Sequence, residues 1–464
     1  MSKRLVVLGG GPGGYVAALR AAQLGAAVTV VEARGLGGTC LHRGCIPTKA
    51  LVATAGVLAT VRRAKQFGVH LGDQGTVDLA EVVNRKNRIV QSQMQGIEHL
   101  FRAAKITLVR GVGTVTGPRS VAVREPDGRV RTVEGDGLII ATGSEPARPA
   151  LFPFDGQRVM TSDDVIDLTR LPASLVIVGG GVTGSEFACI FRALGVDVTV
   201  IEQLPRLVAS EDEAVSALLL REMKRQNIRV LLGATVAGVE SLAESVRITV
   251  SSGEHVEADR VLVAVGRALN SRSIGIEAAG LAVGARGALV VDDGLETGID
   301  GVWAIGDVVG RKQLAHAASA QGEVAAARAM GHDARMAFDR IPAGIFTIPE
   351  IGSVGLTETE ARATGRPVTV GEFPFRGLAK AHVIGEVAGF VKVVAAQDTG
   401  AVLGAHIIGP HAAELIHEAV IAIQAEATVD DLVHSIHVHP TLAEVVHEAA
   451  GMARGVAVHA VNKG

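Results

Sequence analysis

Two stretches of the chain repeat the same order of apolar and polar positions at a constant offset of 170 residues. Each begins with four consecutive apolar residues, LVVL at positions 5–8 and LVIV at positions 175–178. Each continues through a glycine-rich turn and a helical stretch, and closes with a second apolar run that ends in an acid. Unbroken apolar runs of this length are typical of parallel strands that are buried on both faces. The pattern therefore predicts two βαβ units.

The turn in both units has the spacing G-x-G-x-x-G, formed by Gly9, Gly11 and Gly14 and again by Gly179, Gly181 and Gly184. In this fingerprint the first glycine permits a tight turn, the second lets the backbone approach a pyrophosphate, and the third allows the helix to contact the strand. A carboxylate at the end of the second strand accepts hydrogen bonds from a ribose diol. We therefore expect two dinucleotide sites, although glycines that serve packing alone remain the alternative.

The terminal acids are Glu32 in the first unit and Glu202 in the second. A carboxylate at this position repels a 2′-phosphate, so Glu202 favours NAD over NADP. Arg206 lies four residues further on and could favour the phosphorylated coenzyme instead. We expect NAD, because the acid at the strand end is the more direct determinant.

Composition excludes several classes of function. The chain has 464 residues, which suggests about three domains, and its 45 basic and 48 acidic residues almost balance. No basic stripe indicates nucleic acid or an anionic membrane surface, and one Trp and one Tyr are few for base stacking. The apolar run after the first residues ends too early for a signal peptide, and no uninterrupted apolar run reaches about 18 residues. We expect a soluble, cytoplasmic protein with no nucleic-acid or membrane partner.

The chain has three cysteines, and Cys40 and Cys45 lie five positions apart shortly after the first unit. A zinc site needs about four ligands, and no second close cysteine pair is present, although His42 lies between these two. A structural disulfide is uncommon in the cytosol, so a redox-active dithiol is the interpretation that we prefer. Five residues of ideal helix rise about 7.5 Å, which exceeds the roughly 7 Å Cα separation that a disulfide tolerates. The backbone between the cysteines should therefore be distorted, most simply at Gly44.

Six motifs give the chain a resemblance to a known family. It resembles the pyridine nucleotide-disulfide oxidoreductases, and among them it is most similar to the dihydrolipoamide dehydrogenases. The motifs follow the family order along almost the whole chain: GGTCLHRGCIPTK at 37–49, ATGSEP at 141–146, VLVAVGR at 261–267, WAIGDV at 303–308, LAHAASAQG at 314–322 and HVHPTLAE at 437–444.

The resemblance implies an α/β fold with two Rossmann-like dinucleotide-binding domains of the glutathione-reductase type and a C-terminal α+β dimerisation domain. The expected boundaries are 1–145 for the FAD-binding domain and 146–268 for the NAD-binding domain. Residues 269–341 are expected to rejoin the FAD domain, and 342–464 to form the interface of a homodimer.

The resemblance also implies catalytic roles. Cys45 matches the thiol beside the flavin, and Cys40 matches the thiol that exchanges with the substrate. Lys49 and Glu186 match a pair beside the reactive ring of the flavin.

His439 matches a catalytic base that reaches the cysteines of the partner subunit, and Glu444 matches the carboxylate that orients it. A histidine has a pKa suited to accept a thiol proton near neutral pH, and a carboxylate on its other nitrogen fixes the tautomer. The alternative is a metal patch or a histidine-rich surface, because three more histidines lie nearby: His434, His437 and His447.

The remaining expected site residues bind the two cofactors, and no metal ligand is expected. The residues expected at FAD are Gly9, Gly11, Gly14, Glu32, Gly38, Thr39, Lys49, Gly113, Thr142, Gly143, Ser144, Asp307, Leu314, Ala315 and His316. Those expected at NAD are Gly179, Gly181, Gly184, Glu202, Val236 and Gly266.

The expected activity is the oxidation of dihydrolipoamide, with electrons passing from the dithiol to the cysteine pair, to FAD and as hydride to NAD. The expected partner is a lipoyl-bearing protein of a 2-oxo acid dehydrogenase or glycine-cleavage complex. One alternative is a related FAD-dependent reductase with another dithiol or disulfide substrate, and another is a nucleotide-binding scaffold or redox sensor. His42, Arg43 and Leu269 depart from the family pattern without removing a catalytic group.

Overall fold

The computed structural model describes residues 2–72, 75–272 and 274–462. The helices of this part of the chain are α1 Pro12–Gln23, α2 Gly38–Arg43, α3 Cys45–Arg63, α4 Leu79–Ala103, α5 Ser162–Val165, α6 Val182–Ala193, α7 Glu213–Arg225, α8 Ala315–Ala329, α9 Glu358–Ala363, α10 Ala379–Val383, α11 Ala412–Gln424, α12 Val429–His434 and α13 Glu444–Arg454.

The described strands form two five-stranded parallel sheets and smaller antiparallel sheets in the first two thirds of the chain, and a five-stranded antiparallel sheet in the last third. They are β1 Arg4–Leu8, β2 Ala27–Glu32, β3 Thr107–Arg110, β4 Val112–Gly117, β5 Ser120–Arg124, β6 Val130–Glu134, β7 Gly137–Ile140, β8 Ser144–Pro146, β9 Val159–Met160, β10 Ser174–Val178, β11 Asp197–Glu202, β12 Arg229–Leu232, β13 Val236–Ser241, β14 Val246–Val250, β15 His255–Ala258, β16 Arg260–Val263, β17 Arg267–Leu269, β18 Val302–Ala304, β19 Ala343–Ile345, β20 Glu350–Gly355, β21 Val368–Pro374, β22 Phe390–Ala396 and β23 Val402–Gly409.

The first sheet has the order β18-β7-β1-β2-β3 and is parallel throughout. Its apolar run 5–8 is buried, as the sequence pattern predicted, because α1 packs against β1 and β2 and strand β4 contacts the Leu8 side chain. Strand β18 comes from far along the chain and adds to the edge beside β7. Helix α8 follows that strand and packs closely against α1. The central segment thus completes the first unit.

The second sheet repeats the arrangement in the order β12-β11-β10-β16-β9, again with parallel neighbours. Strands β10 and β11 with helix α6 correspond to β1, β2 and α1 at the offset seen in the sequence. In both sheets the glycine turn lies at the carboxyl end of the central strand, where ligands of open α/β sheets bind. Three-stranded antiparallel sheets, β4-β5-β6 and β13-β14-β15, are appended to the two units.

The C-terminal unit is an antiparallel sheet with the order β19-β20-β23-β22-β21. Helix α11 packs on β20 and β23, and helix α13 packs on β21 and β22. The sheet is therefore covered by helices, and it carries the end of the chain that contains the predicted histidine motif.

One helical stretch of the described residues, Gly38–Phe67, is long and apolar enough by length and composition to cross a membrane. It carries both cysteines of the predicted pair and packs against α4 and α6. Its Lys49 forms an ion pair with Glu186 of α6. Contacts of this kind are those of a core helix of a globular fold, so the stretch is weak support for a membrane span.

Candidate active site

The amino ends of α1, α3 and α8 border one cleft with a volume of about 1670 Å³. Apart from Gly14, every residue predicted for the first nucleotide lines this cleft, together with Cys40, Cys45 and Glu186. The tertiary structure thus gathers residues from positions 9 to 316 around one cavity. Gly14 lies behind the turn, at the contact between helix and strand.

The first glycine turn has the geometry that its spacing predicted. Gly9 has φ +107°, a left-handed value that favours glycine. A Cβ on Gly14 would lie only 1.9 Å from the Gly9 carbonyl oxygen, so helix α1 can approach the strand only without a side chain there. At Gly11 the nearest atom to such a Cβ would be 3.8 Å away, on Gly38. The amino end of α1 is therefore open to the cleft, and no side chain caps it.

The acids that end β2 and β11 make contacts that the sequence did not reveal. Glu32 accepts hydrogen bonds from the backbone N–H groups of Gly10 at 2.6 Å and Arg34 at 2.7 Å. Glu202 accepts them from Gly180 at 2.5 Å and Leu204 at 2.7 Å. Each carboxylate therefore also ties its glycine turn to the loop after the strand. Glu32 still lines the cleft, where it can accept further hydrogen bonds.

The cysteine pair spans a break between two helices. Helix α2 ends at Arg43, α3 begins at Cys45, and Gly44 between them has φ −124° and ψ −112°. This is the backbone distortion that the five-residue spacing predicted. A Cβ on Gly44 would lie 3.1 Å from the Thr39 carbonyl oxygen and 3.3 Å from Cys40 Cα. Both cysteines are free thiols, and their side chains are hydrogen-bonded to each other.

The two thiols have opposite acidities. The hydrogen bond from Cys40, with help from the Lys49 cation, lowers the pKa of Cys45 to about 7. The same hydrogen bond, together with burial, raises the pKa of Cys40 far above its usual range. Cys45 also begins helix α3, where the helix dipole favours a thiolate. The pair thus shares one proton near neutral pH. The third cysteine, Cys189, is fully buried, which raises its pKa to about 12.

Lys49 and Glu186 bring two units of the chain together beside the thiols. The Lys49 Nζ atom lies 2.8 and 2.9 Å from the two carboxylate oxygens of Glu186, which is buried. Glu186 also accepts a hydrogen bond of 2.9 Å from the Phe346 backbone N–H. The Lys49 Nζ lies 4.5 Å from the centre of the Phe346 ring, within cation–π distance. The sequence analysis did not identify Phe346, since it lies outside the recognised motifs.

A second polar group closes the cleft around Asp307. The Ser144 hydroxyl donates to Asp307, while Arg267 donates to the Ser144 hydroxyl at 2.6 Å and to the Ser144 carbonyl at 2.8 Å. The Arg267 Nε lies 3.6 Å from the Asp307 carboxylate. Arg267 was missed as a site residue, although its motif, VLVAVGR, was recognised. The motif thus contributes a side chain to the polar group around Asp307.

These features fit FAD. The open amino ends of α1 and α8 offer backbone N–H groups, since neither helix has a side-chain cap. The room above Gly11 is what a bound pyrophosphate requires, and Glu32 is placed for a ribose. Cys45 is exposed although it lies beside the buried Glu186, so its thiol faces the cavity.

The residues predicted for the second nucleotide lie outside this cleft. Gly179 repeats the φ of +107°, and a Cβ on Gly184 would again lie 1.9 Å from the carbonyl oxygen of the first glycine. An added Cβ on Gly181 would meet no atom within 4 Å, so this turn is also open. Gly266 follows β16 with φ +119°, and Val236 begins β13. Val182 and Thr183 of the second glycine turn also line the cleft, so the two sites are adjacent.

His439 lies on the surface of the C-terminal unit and does not line the cleft of its own chain. Its Nδ1 is 2.9 Å from the Glu444 carboxylate, and its side chain is 72% exposed. Burial would raise the pKa of Glu444, but the hydrogen bonds from His439 and the Thr441 N–H hold it below its usual value. The structure thus brings His439 and Glu444 into contact, outside the cleft that holds the thiols of the same chain.

The nearby histidines have other partners. His437 Nε2 lies 2.8 Å from Glu418, and its ring centre is 5.4 Å from that of His447, with the two ring planes tilted by 60°. Within residues 2–72, 75–272 and 274–462 no group of three or more His, Cys, Asp or Glu side chains is arranged to hold a metal ion.

The three residues that depart from the family pattern each have defined contacts. Arg43, between the cysteines, lies 3.1 Å from Asp163 of α5, whose pKa is raised by burial despite this cation. Leu269 pairs with Ser144 in the short ladder between β17 and β8. His42 Nε2 lies 2.8 Å from the Leu36 carbonyl oxygen. All three residues thus contact the segments that surround the cleft.

Comparison with known proteins identifies the same family that the sequence motifs resemble. Residues 3–322 match the family model described as Pyridine nucleotide-disulphide oxidoreductase, and residues 341–450 match the dimerisation domain of that family. The chain is 41% identical to dihydrolipoyl dehydrogenase of Chlamydia muridarum over 98% of its own length and 97% of that protein. It is also 41% identical to dihydrolipoyl dehydrogenase of Bacillus subtilis, with 98% of each chain covered.

Solved structures superpose on nearly the whole chain. LpdA of Mycobacterium tuberculosis superposes with a TM-score of 0.91 at 31% identity, covering 97% of this chain and 99% of that one. The HOCl-induced flavoprotein disulfide reductase RclA of Escherichia coli, solved with Cu(II), superposes with a TM-score of 0.87 at 27% identity over 97% and 99%. The predicted glutathione-reductase-like α/β fold is confirmed. The chain belongs to the pyridine nucleotide-disulphide oxidoreductase family.

Proposed function

We propose that this chain oxidises dihydrolipoamide to lipoamide and transfers the electrons to NAD⁺, the activity of a dihydrolipoyl dehydrogenase. The observation that carries the proposal is the thiol pair, in which Cys45 has a pKa of about 7 and faces a cleft bordered by a dinucleotide-binding turn. Relatives with this activity align over nearly the whole chain.

Members of this family use FAD and NAD(H). We infer that FAD is held by the turn Gly9–Gly14, by Glu32 and by the segments around Ser144, Asp307 and Ala315, which border the cleft. When bound, FAD supplies a two-electron acceptor for thiols that can return the electrons as hydride to NAD⁺. Lys49 and Glu186 provide a fixed charge pair at this place, and Cys45 presents its thiolate to it.

The thiol exchange follows from the acidities of the pair. In the oxidised protein a substrate thiolate attacks Cys40 Sγ of the Cys40–Cys45 disulfide and forms a mixed disulfide, and Cys45 leaves as a thiolate. The second substrate thiolate then closes the lipoamide ring and releases Cys40, so two electrons remain on the pair. A leaving thiol with a low pKa departs faster, which suits Cys45 with its pKa of about 7.

The proton of each substrate thiol goes to a base. We propose His439 of the second subunit, because it does not line the cleft of its own chain and Glu444 on its Nδ1 leaves the Nε2 free to accept a proton. The match to the family's dimerisation domain supports a homodimer. The base and the thiols would thus meet only in the dimer.

Four further points are proposals. The domains are 1–145, 146–268, 269–341 and 342–464, which agrees with the return of β18 to the first sheet. The protein partner is a lipoyl-bearing subunit of a 2-oxo acid dehydrogenase or glycine-cleavage complex. The location is the cytoplasm. The second glycine turn takes NAD.

The test is anaerobic stopped-flow mixing of the oxidised, FAD-loaded protein with dihydrolipoamide, followed by NAD⁺. Rapid reduction of the flavin and its reoxidation by NAD⁺ are expected. The variant Cys45→Ser should keep FAD and lose turnover. Cys189→Ala, which alters a buried thiol outside the cleft, should keep both FAD and turnover. Slow reduction by dihydrolipoamide with fast reduction by another dithiol would favour a different disulfide reductase. A purified protein that is colourless and takes up no FAD would favour a nucleotide-binding scaffold.

A further inference from the structure

The loop of residues 203–211 follows β11 at the second nucleotide site, and the side chain of Arg206 points into it. The Arg206 guanidinium donates to the Glu211 carbonyl at 2.6 Å, to the Ala209 carbonyl at 2.7 Å and to the Ser216 hydroxyl at 3.2 Å. These contacts occupy both terminal nitrogens of the guanidinium. Arg206 therefore holds the loop closed on itself instead of facing a ligand.

The centre of this loop has a strained backbone. Val208 has φ +40°, and its side chain is almost fully buried. A positive φ is a genuine outlier for a β-branched residue and persists only where the surroundings enforce it. The hydrogen bonds of Arg206 span Val208 along the chain, since they join the side chain at position 206 to backbone carbonyls at positions 209 and 211. They supply the restraint that Val208 requires.

The first nucleotide site provides an internal comparison. There Gly37 N donates to the Gly10 carbonyl at 2.8 Å, just as Val208 N donates to the Gly180 carbonyl at 2.9 Å. Gly37 has φ +98°, which a glycine adopts without steric cost. When Gly37 and Val208 are matched by these hydrogen bonds, the residue two positions before each is Gly35 in the first loop and Arg206 in the second. The first loop does have an arginine, Arg34, but its guanidinium binds Glu145 at 2.7 Å instead of carbonyls of its own loop. An arginine that bonds to its own loop is thus found in the copy with valine in the turn.

The loop in turn fixes the acid that reads the nucleotide. Leu204 in the loop donates its N–H to Glu202, whose other oxygen accepts from Gly180. Leu207 packs over the same glycine turn, since a Cβ on Gly180 would lie 2.5 Å from its side chain. Glu202 is consequently buried, with 7% of its surface exposed. Loosening the loop would release this carboxylate from its position.

We propose that Arg206 is a positioning residue for coenzyme selection: it holds Val208 in the left-handed conformation, and the loop so fixed holds Glu202 against the adenosine ribose. This inference rests on the proposed function only in that the second glycine turn takes the nicotinamide nucleotide. It follows that Arg206 is not a ligand for a 2′-phosphate, because its bonds to two backbone carbonyls and the Ser216 hydroxyl hold the guanidinium in its own loop.

The test is calorimetric titration of the oxidised, FAD-loaded protein with ADP-ribose and with 2′-phospho-ADP-ribose. Arg206→Met should weaken ADP-ribose binding about tenfold, the equivalent of one lost charged hydrogen bond, and leave the weak binding of the phosphorylated probe unchanged. The matched control is Arg192→Met, because Arg192 also binds backbone carbonyls, at Gln226 and Val196, but at the far end of α6. That control should bind both probes like the unaltered protein.

A selective loss of the phosphorylated probe in Arg206→Met would make Arg206 a phosphate ligand and overturn the proposal. Unchanged binding of both probes would overturn it as well. The strain is tested by Val208→Gly, since a glycine removes the need for a restraint. The double variant Val208→Gly with Arg206→Met should bind ADP-ribose within about threefold of Val208→Gly alone. A double variant as weak as Arg206→Met would refute the role of strain.

Where Arg206→Met fails to fold, Arg206→Lys and the double variant give the same comparison, because lysine keeps the charge but cannot reach two carbonyls as a fork. Equal ADP-ribose affinity in Arg206→Lys and the unaltered protein would overturn the proposal. No dithiol enters this experiment. A failure of dihydrolipoamide to reduce the flavin would therefore affect the proposed function and leave the outcome for Arg206 intact.

Discussion

Cys45 illustrates how single residues determine the chemistry of this protein. Its pKa of about 7 results from the Cys40 hydrogen bond first and the Lys49 cation second, while desolvation by the walls of the cleft and the Glu186 carboxylate oppose them. The thiolate is the reactive form of a cysteine. Cys45 is therefore poised to act near neutral pH, whereas Cys40 and the buried Cys189 have raised pKa values.

This acidity can be measured by alkylation of the reduced protein with iodoacetamide, with the modified cysteine identified by mass spectrometry. The rate at Cys45 should rise as the pH passes through about 7, and Cys40 should react slowly throughout. Lys49→Met should move the rise at Cys45 to higher pH, since it removes the cation and leaves Glu186 uncompensated. Lys65→Met, at an exposed lysine beyond the end of α3, should leave the profile in place. A profile in Lys49→Met that equals that of the unaltered protein would contradict this account.

At the scale of secondary structure, the break between α2 and α3 is what allows the two thiols to meet. A continuous helix would separate positions 40 and 45 by about 7.5 Å along its axis. The backbone at Gly44 departs from helical values and turns the chain so that the two side chains hydrogen-bond.

Gly44→Ala should therefore disturb the pair without removing a reacting atom. The added methyl group would lie 3.1 Å from the Thr39 carbonyl oxygen, closer than ordinary contacts, so helix α2 must shift. We expect slower flavin reduction by dihydrolipoamide and a slower return of the pair to a disulfide, both seen in single-turnover experiments. Gly56→Ala, in the middle of α3 where an added Cβ meets no atom within 4 Å, is the control that should behave normally. Equal rates in Gly44→Ala and the unaltered protein would show that the break tolerates a side chain.

At the scale of the whole molecule, a buried ion group joins the second nucleotide unit to the C-terminal sheet. Lys392 of β22 lies 2.8 Å from Asp212, which caps α7, and 3.1 Å from Glu358. Lys392 and Asp212 are both buried. Burial would raise the pKa of Asp212, but the hydrogen bond from Lys392 keeps it below the usual value.

Lys392→Met should destabilise the fold by about 3–5 kcal/mol, because it leaves the Asp212 carboxylate buried without its cation. The measurement is urea unfolding of the holoprotein at pH 7. Arg366→Met, which removes the exposed ion pair with Asp398, should cost much less, because solvent screens this pair. Since the pKa of Asp212 is lowered in the folded state, the contribution of the pair should be complete above about pH 4 and decline as the pH falls below it. Equal losses in the two variants would contradict this ranking.

The separation of His439 from the cleft makes a second whole-molecule prediction. Dimers that combine one Cys45→Ser subunit with one His439→Gln subunit can be isolated with two different affinity tags. If the base acts across the interface, one site of such a dimer is intact, and turnover should approach half that of the unaltered dimer. If the base acts within its own chain, both sites lack a group, and the mixed dimer should be as inactive as its parents.

The sequence by itself determined the two βαβ units, the glycine turns and the distortion at Gly44, because these features depend on residues within one short segment. The motifs also identified most of the cleft, since each lies at the end of a strand or the start of a helix. Spacing along the chain carries no information on side chains that meet from distant segments. Lys49 and Glu186 are 137 positions apart, and the family resemblance, not their spacing, identified them as a pair. The role of Arg267 depends on the ladder between β17 and β8, which brings it to Ser144.

Only the tertiary structure decided which partners the charged and titratable side chains of the candidate sites have. Arg206 was a candidate phosphate ligand in the sequence, and packing directs its guanidinium into its own loop. Glu32 and Glu202 ended strands as expected, but backbone N–H groups from the adjoining turns also bind them. His439 contacts Glu444 as predicted, and it lies on the surface of the C-terminal unit, away from the cleft. The physical reason is that strand and turn geometry follow from local sterics, whereas hydrogen-bond partners depend on which segments the folded chain brings within about 3 Å.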